Sequence, residues 1–153
     1  MKNSRLVDHV PGHRYPDQFG DWLGYRVEKC DRKKHEAVIT LRIRNEHLSP
    51  AGRVHGGVVS ACFDAALGVA VFSTLVKTDR TATVELKVNY FRPVVLGDRL
   101  RITTRVVFRG NRLAVAHGFL HLNGEKAPAG MATGTFNIVS GATVDKPKSL
   151  KSK

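Results

Sequence analysis

Arg53–Ala65, R-V-H-G-G-V-V-S-A-C-F-D-A, decides the fold of this chain. A His-Gly-Gly opens an apolar run that reaches Val76 and carries one carboxylate, Asp64. The run predicts a helix from about Gly56 to about Lys77. It is apolar nearly all round, so such a helix should be enclosed rather than lie on a surface. It does not read as a membrane span, because it holds His55, Ser60, Asp64, Ser73 and Thr74. A central Asp alone costs about 2.5–3.5 kcal/mol on insertion scales.

Outward from this helix the pattern changes to period two. Trp22–Cys30 reads as a first strand and Asp31–Lys34 as a polar turn. In Ala37–Arg44, Ile39, Leu41 and Ile43 face one side and Thr40, Arg42 and Arg44 the other. Glu46–Arg53 is a loop with Pro50 and Gly52. After the helix, Thr81–Arg92 sets Thr83, Glu85, Lys87 and Asn89 against Val84, Leu86, Val88 and Tyr90, and Pro93 and Gly97 end it. Arg99–Arg109, Leu113–Leu122 and Ala129–Val139 follow, separated by Gly110-Asn111 and Asn123-Gly124 turn signals. The order β-β-α-β-β-β-β predicts an α+β domain, one antiparallel sheet around one long central helix. We expect residues 1–20 to be an N-terminal arm, 21–140 the domain, and 141–153 a basic, disordered tail.

At 153 residues the chain suits one domain that needs no disulfide or metal staple. Cys62 lies in the apolar run and reads as a small core residue. The N-terminus has no apolar signal segment, so the protein is expected in the cytoplasm. The net charge of +12 suits anionic ligands. Part of it comes from Lys146, Lys148, Lys151 and Lys153, and no aromatic-interleaved basic stripe points to nucleic acid. His117 and His121 share a strand face but lack a third spaced ligand, so no metal site is expected.

Two features carry chemistry. A glycine pair opening a helix leaves backbone N–H groups pointing outward, where they can meet an anion. An acid in an apolar segment costs free energy unless something uses or pairs it. Gly56 and Asp64 are therefore candidates for an oxyanion donor and a base or nucleophile in acyl transfer. They stand eight residues apart, about 12 Å along one helix, so one small carbonyl cannot easily touch both. If both act on it they come from different subunits, and an isologous dimer with antiparallel helices would form two such sites.

With these residues in view, the chain resembles the hotdog-fold acyl-CoA thioesterases of the phenylacetate-degradation (PaaI-like) branch over roughly residues 20–140. The resemblance rests on S-P-A-G-R-V-H-G-G, on Asp64 nine residues after His55, and on T-V-E-L-K-V-N-Y-F-R-P followed by a Gly-Asp turn. It implies hydrolysis of acyl-CoA to free acid and CoA, with no cofactor beyond the CoA of the substrate. It implies a homodimer, extending to a homotetramer. The catalytic set it implies is Asp64, Gly56, Gly57, His55, Ser49 and Thr83. Ser49 replaces an Asn often found six residues before the motif His, and its hydroxyl has a shorter reach than an amide. For CoA it implies Glu85, Tyr90, Arg92, Phe108, Arg109, Gly110, Asn111, Arg112 and Leu113. Phe63, Leu67 and Phe72 are expected to wall the acyl pocket together with the partner chain. A non-catalytic acyl-CoA binder and a hotdog dehydratase or hydratase remain as alternatives.

Overall fold

A computed structural model describes residues 17–76 and 78–141. The expectations for residues 1–16 and 142–153 lie outside the described residues. The elements are α1 (Gln18–Leu23), β1 (Arg26–Asp31), β2 (Glu36–Arg42), a 3₁₀ turn (Asn45–His47), α2 (Gly56–Phe72), β3 (Arg80–Tyr90), β4 (Arg99–Arg109), β5 (Leu113–Leu122) and β6 (Gly130–Val139). The strands form one antiparallel sheet in the order β1-β2-β4-β5-β6-β3. α2 packs across one face, so a single chain covers it on one side where its all-round apolar pattern predicts enclosure.

The packing beneath α2 is close because the sheet is trimmed there. Phe63, Leu67 and Val71 point into it and are fully buried. Each such side chain contributes about 1.5–3 kcal/mol. A Cβ on Gly134 would come within 2.9 Å of the Phe136 ring and 3.2 Å of the Leu67 side chain, so the helix can sit this low only over a glycine. The buried Thr104 hydroxyl donates to Ala66 O at 3.0 Å, tying the helix to β4.

Several boundaries differ from the expectation. The first strand begins at Arg26, not Trp22. Trp22 and Leu23 complete α1, whose N-terminus is capped by Asp17 and whose last turn closes on Gly24 in the left-handed region, φ +86°. α2 ends at Phe72, short of Lys77, because Ser73 and Thr74 turn their hydroxyls back onto Ala70 O and Val71 O. The Asn123-Gly124 signal is met by a tight turn with φ +52° and +81°.

The largest correction concerns β3, where a strict alternation was expected. Its register with β6 shifts between Thr83 and Glu85, leaving Val84 as the extra residue of a β-bulge. Before the bulge, Thr81 and Thr83 pair with Ile138 and Phe136 on the helix face. Beyond it, Leu86 and Val88 take over that face, and Glu85, Lys87 and Asn89 pair with Thr135, Thr133 and Met131 on the outer one. Thr83 thus leaves the row of Glu85, Lys87 and Asn89 and turns toward α2. β3 is also a free edge of the sheet, eleven residues long.

Candidate active site

The apolar helix is covered on one side only. Val59, Cys62, Phe63, Ala66, Leu67 and Ala70 are buried, while Ala61, Asp64, Ala65 and Gly68 are partly exposed at helical spacing. Asp64 is therefore not the buried acid expected. It stands in the exposed stripe, and the Thr83 hydroxyl donates to its Oδ1 at 2.7 Å. Asp64 and Thr83 line an open cleft of about 230 Å³ with Ala65, Gly68, Val69 and Phe72 of α2 and Tyr25 of the β1 side. Of the three expected acyl walls only Phe72 reaches this cleft. Phe63 and Leu67 point the other way, into the sheet, and are 0% exposed.

The N-terminus of α2 is built from His55. As N-cap, it accepts the Gly57 N–H on Nδ1 at 3.0 Å, which in the neutral ring leaves the proton on Nε2. Its own N–H donates to His47 O at 2.9 Å. Gly57 is thereby removed as a free donor. The Gly56 N–H has no partner among the described residues. Tyr90 closes the other side, donating to Gly56 O at 3.1 Å and sharing a 2.5 Å hydrogen bond with Ser60. Ser60 thus belongs to this cluster. Ser49 is held at the base of its loop by backbone bonds to Arg53 O (2.7 Å) and from Gly52 N (3.0 Å). Its hydroxyl makes no hydrogen bond among the described residues.

The expected CoA residues divide into two groups. Tyr90 and Arg92 line a second cleft of about 370 Å³ beside Gly56, together with Arg53, Phe91 and Pro93. Arg92 is braced there by Glu125 (2.7 Å) and Ala127 O (3.1 Å). Arg53 was missed, although it stands two residues before the motif His. The β4–β5 hairpin, Phe108–Leu113, lies at the opposite end of the sheet. Leu113 is in register with Asn137 and Ala82, whereas Tyr90 is in register with Gly130 and Leu120. From Ala82 to Tyr90 is about 25 Å along a strand. Arg109 turns back onto Thr74 (3.1 Å) and Asp79, while Phe108 and Leu113 are exposed. Glu85 is on the outer face of the sheet. One protomer does not bring these groups together.

Burial pushes the Cys62 thiol up to about 12 and also raises that of Cys30, so neither is a thiolate nucleophile at neutral pH. Burial, then the hydrogen bond to Asp17, raises Tyr25 well above the usual phenol range, and it remains a proton donor beside the Asp64 cleft. Among the described residues no three His, Cys, Asp or Glu side chains gather as a metal site. No helix there is long and apolar enough to cross a membrane.

Comparison with known proteins shows the family. Residues 51–129 match the model of the thioesterase superfamily. The chain is 35% identical over 150 residues to the medium/long-chain acyl-CoA thioesterase YigI of Escherichia coli, covering 87% of this chain and 88% of that one. The fold superposes on the PaaI protein of the E. coli phenylacetic acid degradation operon with a TM-score of 0.73 at 22% identity, covering 82% and 86% of the two chains. It also superposes on a hypothetical thioesterase protein of Streptococcus pneumoniae solved with coenzyme A, with a TM-score of 0.68 at 24% identity over 78% and 91% of the two chains.

Proposed function

Because the chain belongs to the thioesterase superfamily, whose chemistry is thioester hydrolysis, we propose that it hydrolyses acyl-CoA to the free acid and CoA at a site shared by two subunits. The observation that carries the proposal is the division of the α2 surface. An unengaged Gly56 N–H lies at one end beside a basic cleft, and a Thr83-held Asp64 lies about 12 Å away beside an apolar one.

The Gly56 N–H at the helix N-terminus donates to the thioester oxygen as negative charge develops there. Asp64 of the other subunit acts on the carbonyl carbon, either by taking a proton from the attacking water or by attacking directly to give an anhydride that water then opens. In both routes the C–S bond breaks and CoA leaves as its thiolate, which is then protonated. Thr83 fixes one Asp64 oxygen and leaves the other free. Arg53, Tyr90 and Arg92 face the CoA, and arginines suit its phosphates. Every role is filled by the chain's own groups and water. The half-covered apolar helix and the long free β3 edge support dimerisation through this face, with dimers able to pair further. We place the enzyme in the cytoplasm. The name of the E. coli relative supports aliphatic medium or long acyl chains.

The test is thiol release from acyl-CoAs of graded length by wild type and Asp64→Asn. Turnover that falls at least about 100-fold in the folded, dimeric variant supports the reading. Acyl-CoA binding without turnover by wild type would make the protein a binder.

A further inference from the structure

The N-terminus of α2 has a second flank. Opposite the Tyr90 cleft lies an apolar groove of about 310 Å³ whose walls include Phe19 and Trp22 of α1, Leu48, and Val58 and Ala61 of α2, opening beside His55. Phe19 and Trp22 stack with ring centroids 6.0 Å apart, and both are more than half exposed. Two large aromatics facing water over a groove of ligand size form a binding wall.

We infer that this groove holds the acyl chain and that α1 sets the chain length accepted. The inference rests on the thioesterase reading. A thioester whose oxygen meets the Gly56 N–H has two ways out from the helix terminus. On one flank stand Arg53, Tyr90 and Arg92, which fit a phosphorylated carrier. On the other stand Phe19, Trp22, Leu48, Val58 and Ala61, which fit methylenes, with Glu46, His47 and His55 also on the groove lining.

The wall is also held in place. His47 is 1% exposed and lies in the loop before the site. In its neutral form Nε2–H donates to Leu23 O at 3.0 Å, and Nδ1 accepts the Arg44 N–H at 3.2 Å. Arg44 donates in turn to Trp22 O at 2.9 Å. The same His47 accepts the His55 N–H through its carbonyl. One buried imidazole thus fixes α1 and the helix N-cap to each other, and with them the distance from groove to Gly56. His47 is a positioning residue.

Trp22 is the chain's single tryptophan, so the groove has a built-in reporter. In Asp64→Asn protein, dodecanoyl-CoA should shift Trp22 emission to the blue, while CoA alone should not. In otherwise wild-type protein, Ala61→Phe should fill the groove. In protein that remains dimeric, it should lower the ratio of kcat/KM for dodecanoyl-CoA to that for butanoyl-CoA by more than about tenfold, since each methylene is worth about fourfold. If Ala61→Phe does not fold, Leu48→Ala should move the preference the other way, toward longer chains. Unmoved emission with dodecanoyl-CoA, or equal losses at all chain lengths, overturns the inference while leaving hydrolysis intact. A blue shift without thiol release from any substrate keeps the groove and overturns the enzymatic reading instead.

Discussion

If the site is divided between subunits, two inactive variants should rescue each other. The first is Asp64→Asn, which removes the base. The second must remove the Gly56 N–H without disturbing α2, and proline does this. Gly56 is the first helical residue after the His55 cap, where a helix tolerates proline because that N–H has no intrahelical partner. The preceding residue must be extended, and His55 has φ −62° and ψ 132°. The space is open, since a Cβ at Gly56 meets Tyr90 Oη only at 3.5 Å. Loss of one oxyanion donor costs about 10²–10³ in kcat, and loss of the base about 10²–10⁴. Mixed in equal amounts and exchanged, half the dimers are heterodimers. Each has one site with both lesions and one with none. About half of a half, or about one quarter of wild-type thiol release, should return. The assay is thiol release after exchange, with differently tagged chains to verify that heterodimers formed. Heterodimers that stay at the level of the separate variants would refute the shared site. So would a folded Gly56→Pro protein of undiminished activity.

Three further outcomes follow from named contacts. Thr83→Val should lower kcat about tenfold to 100-fold by removing the donor to Asp64, with Thr83→Ser restoring most of it; steady-state kinetics decides. Burial and then the Arg44 charge hold the His47 imidazole below its ordinary range, so on acidification the unfolded chain takes the proton first. That stability is complete above about pH 6.5 and is lost as pH falls through the folded value. Melting temperature should therefore drop below about pH 6.5, and less steeply in His47→Gln. Gly134→Ala should cost about 1–3 kcal/mol in denaturant unfolding, because the new methyl meets the Phe136 ring and Leu67.

What the sequence made legible was what periodicity encodes. The apolar run gave α2, and alternation gave β2, β4, β5 and β6 nearly to the residue. The resemblance singled out Thr83, but not its hydrogen bond to Asp64, which only the structure shows. What it hid depends on local competition or on symmetry. The bulge at Val84 leaves no mark in T-V-E-L-K, because an inserted residue preserves the residue types and changes only which face each one takes. The end of α2 was overrun because Ser73 and Thr74 stop the helix with their hydroxyls, an effect apolar periodicity does not register. The acyl walls were misassigned because an all-apolar helix does not say which side meets its own sheet. Phe63 and Leu67 do, and the smaller Ala61, Ala65 and Gly68 do not.

Dimerisation through the small-residue face, as proposed, would account for the division of the expected CoA residues between the two ends of the sheet. In one protomer Gly56 packs against Tyr90 and Asp64 against Thr83, so α2 and β3 run antiparallel. The midpoint between Gly56 and Asp64 is Ser60, and that between Thr83 and Tyr90 falls at Leu86–Lys87. In the proposed dimer, a two-fold axis past these midpoints would carry the Asp64–Thr83 end of one chain onto the Gly56–Tyr90 end of the other. The hairpin Phe108–Leu113 lies at the Thr83 end, so the same rotation would send it toward the basic cleft of the second copy. In the proposed dimer, one symmetry operation would join both divided sets, the acid with the oxyanion donor and the hairpin with the basic cleft. The groove under α1 needs no such help. Its walls and its His47 strut come from one chain, as expected if each subunit measures the acyl chain and the pair performs the hydrolysis.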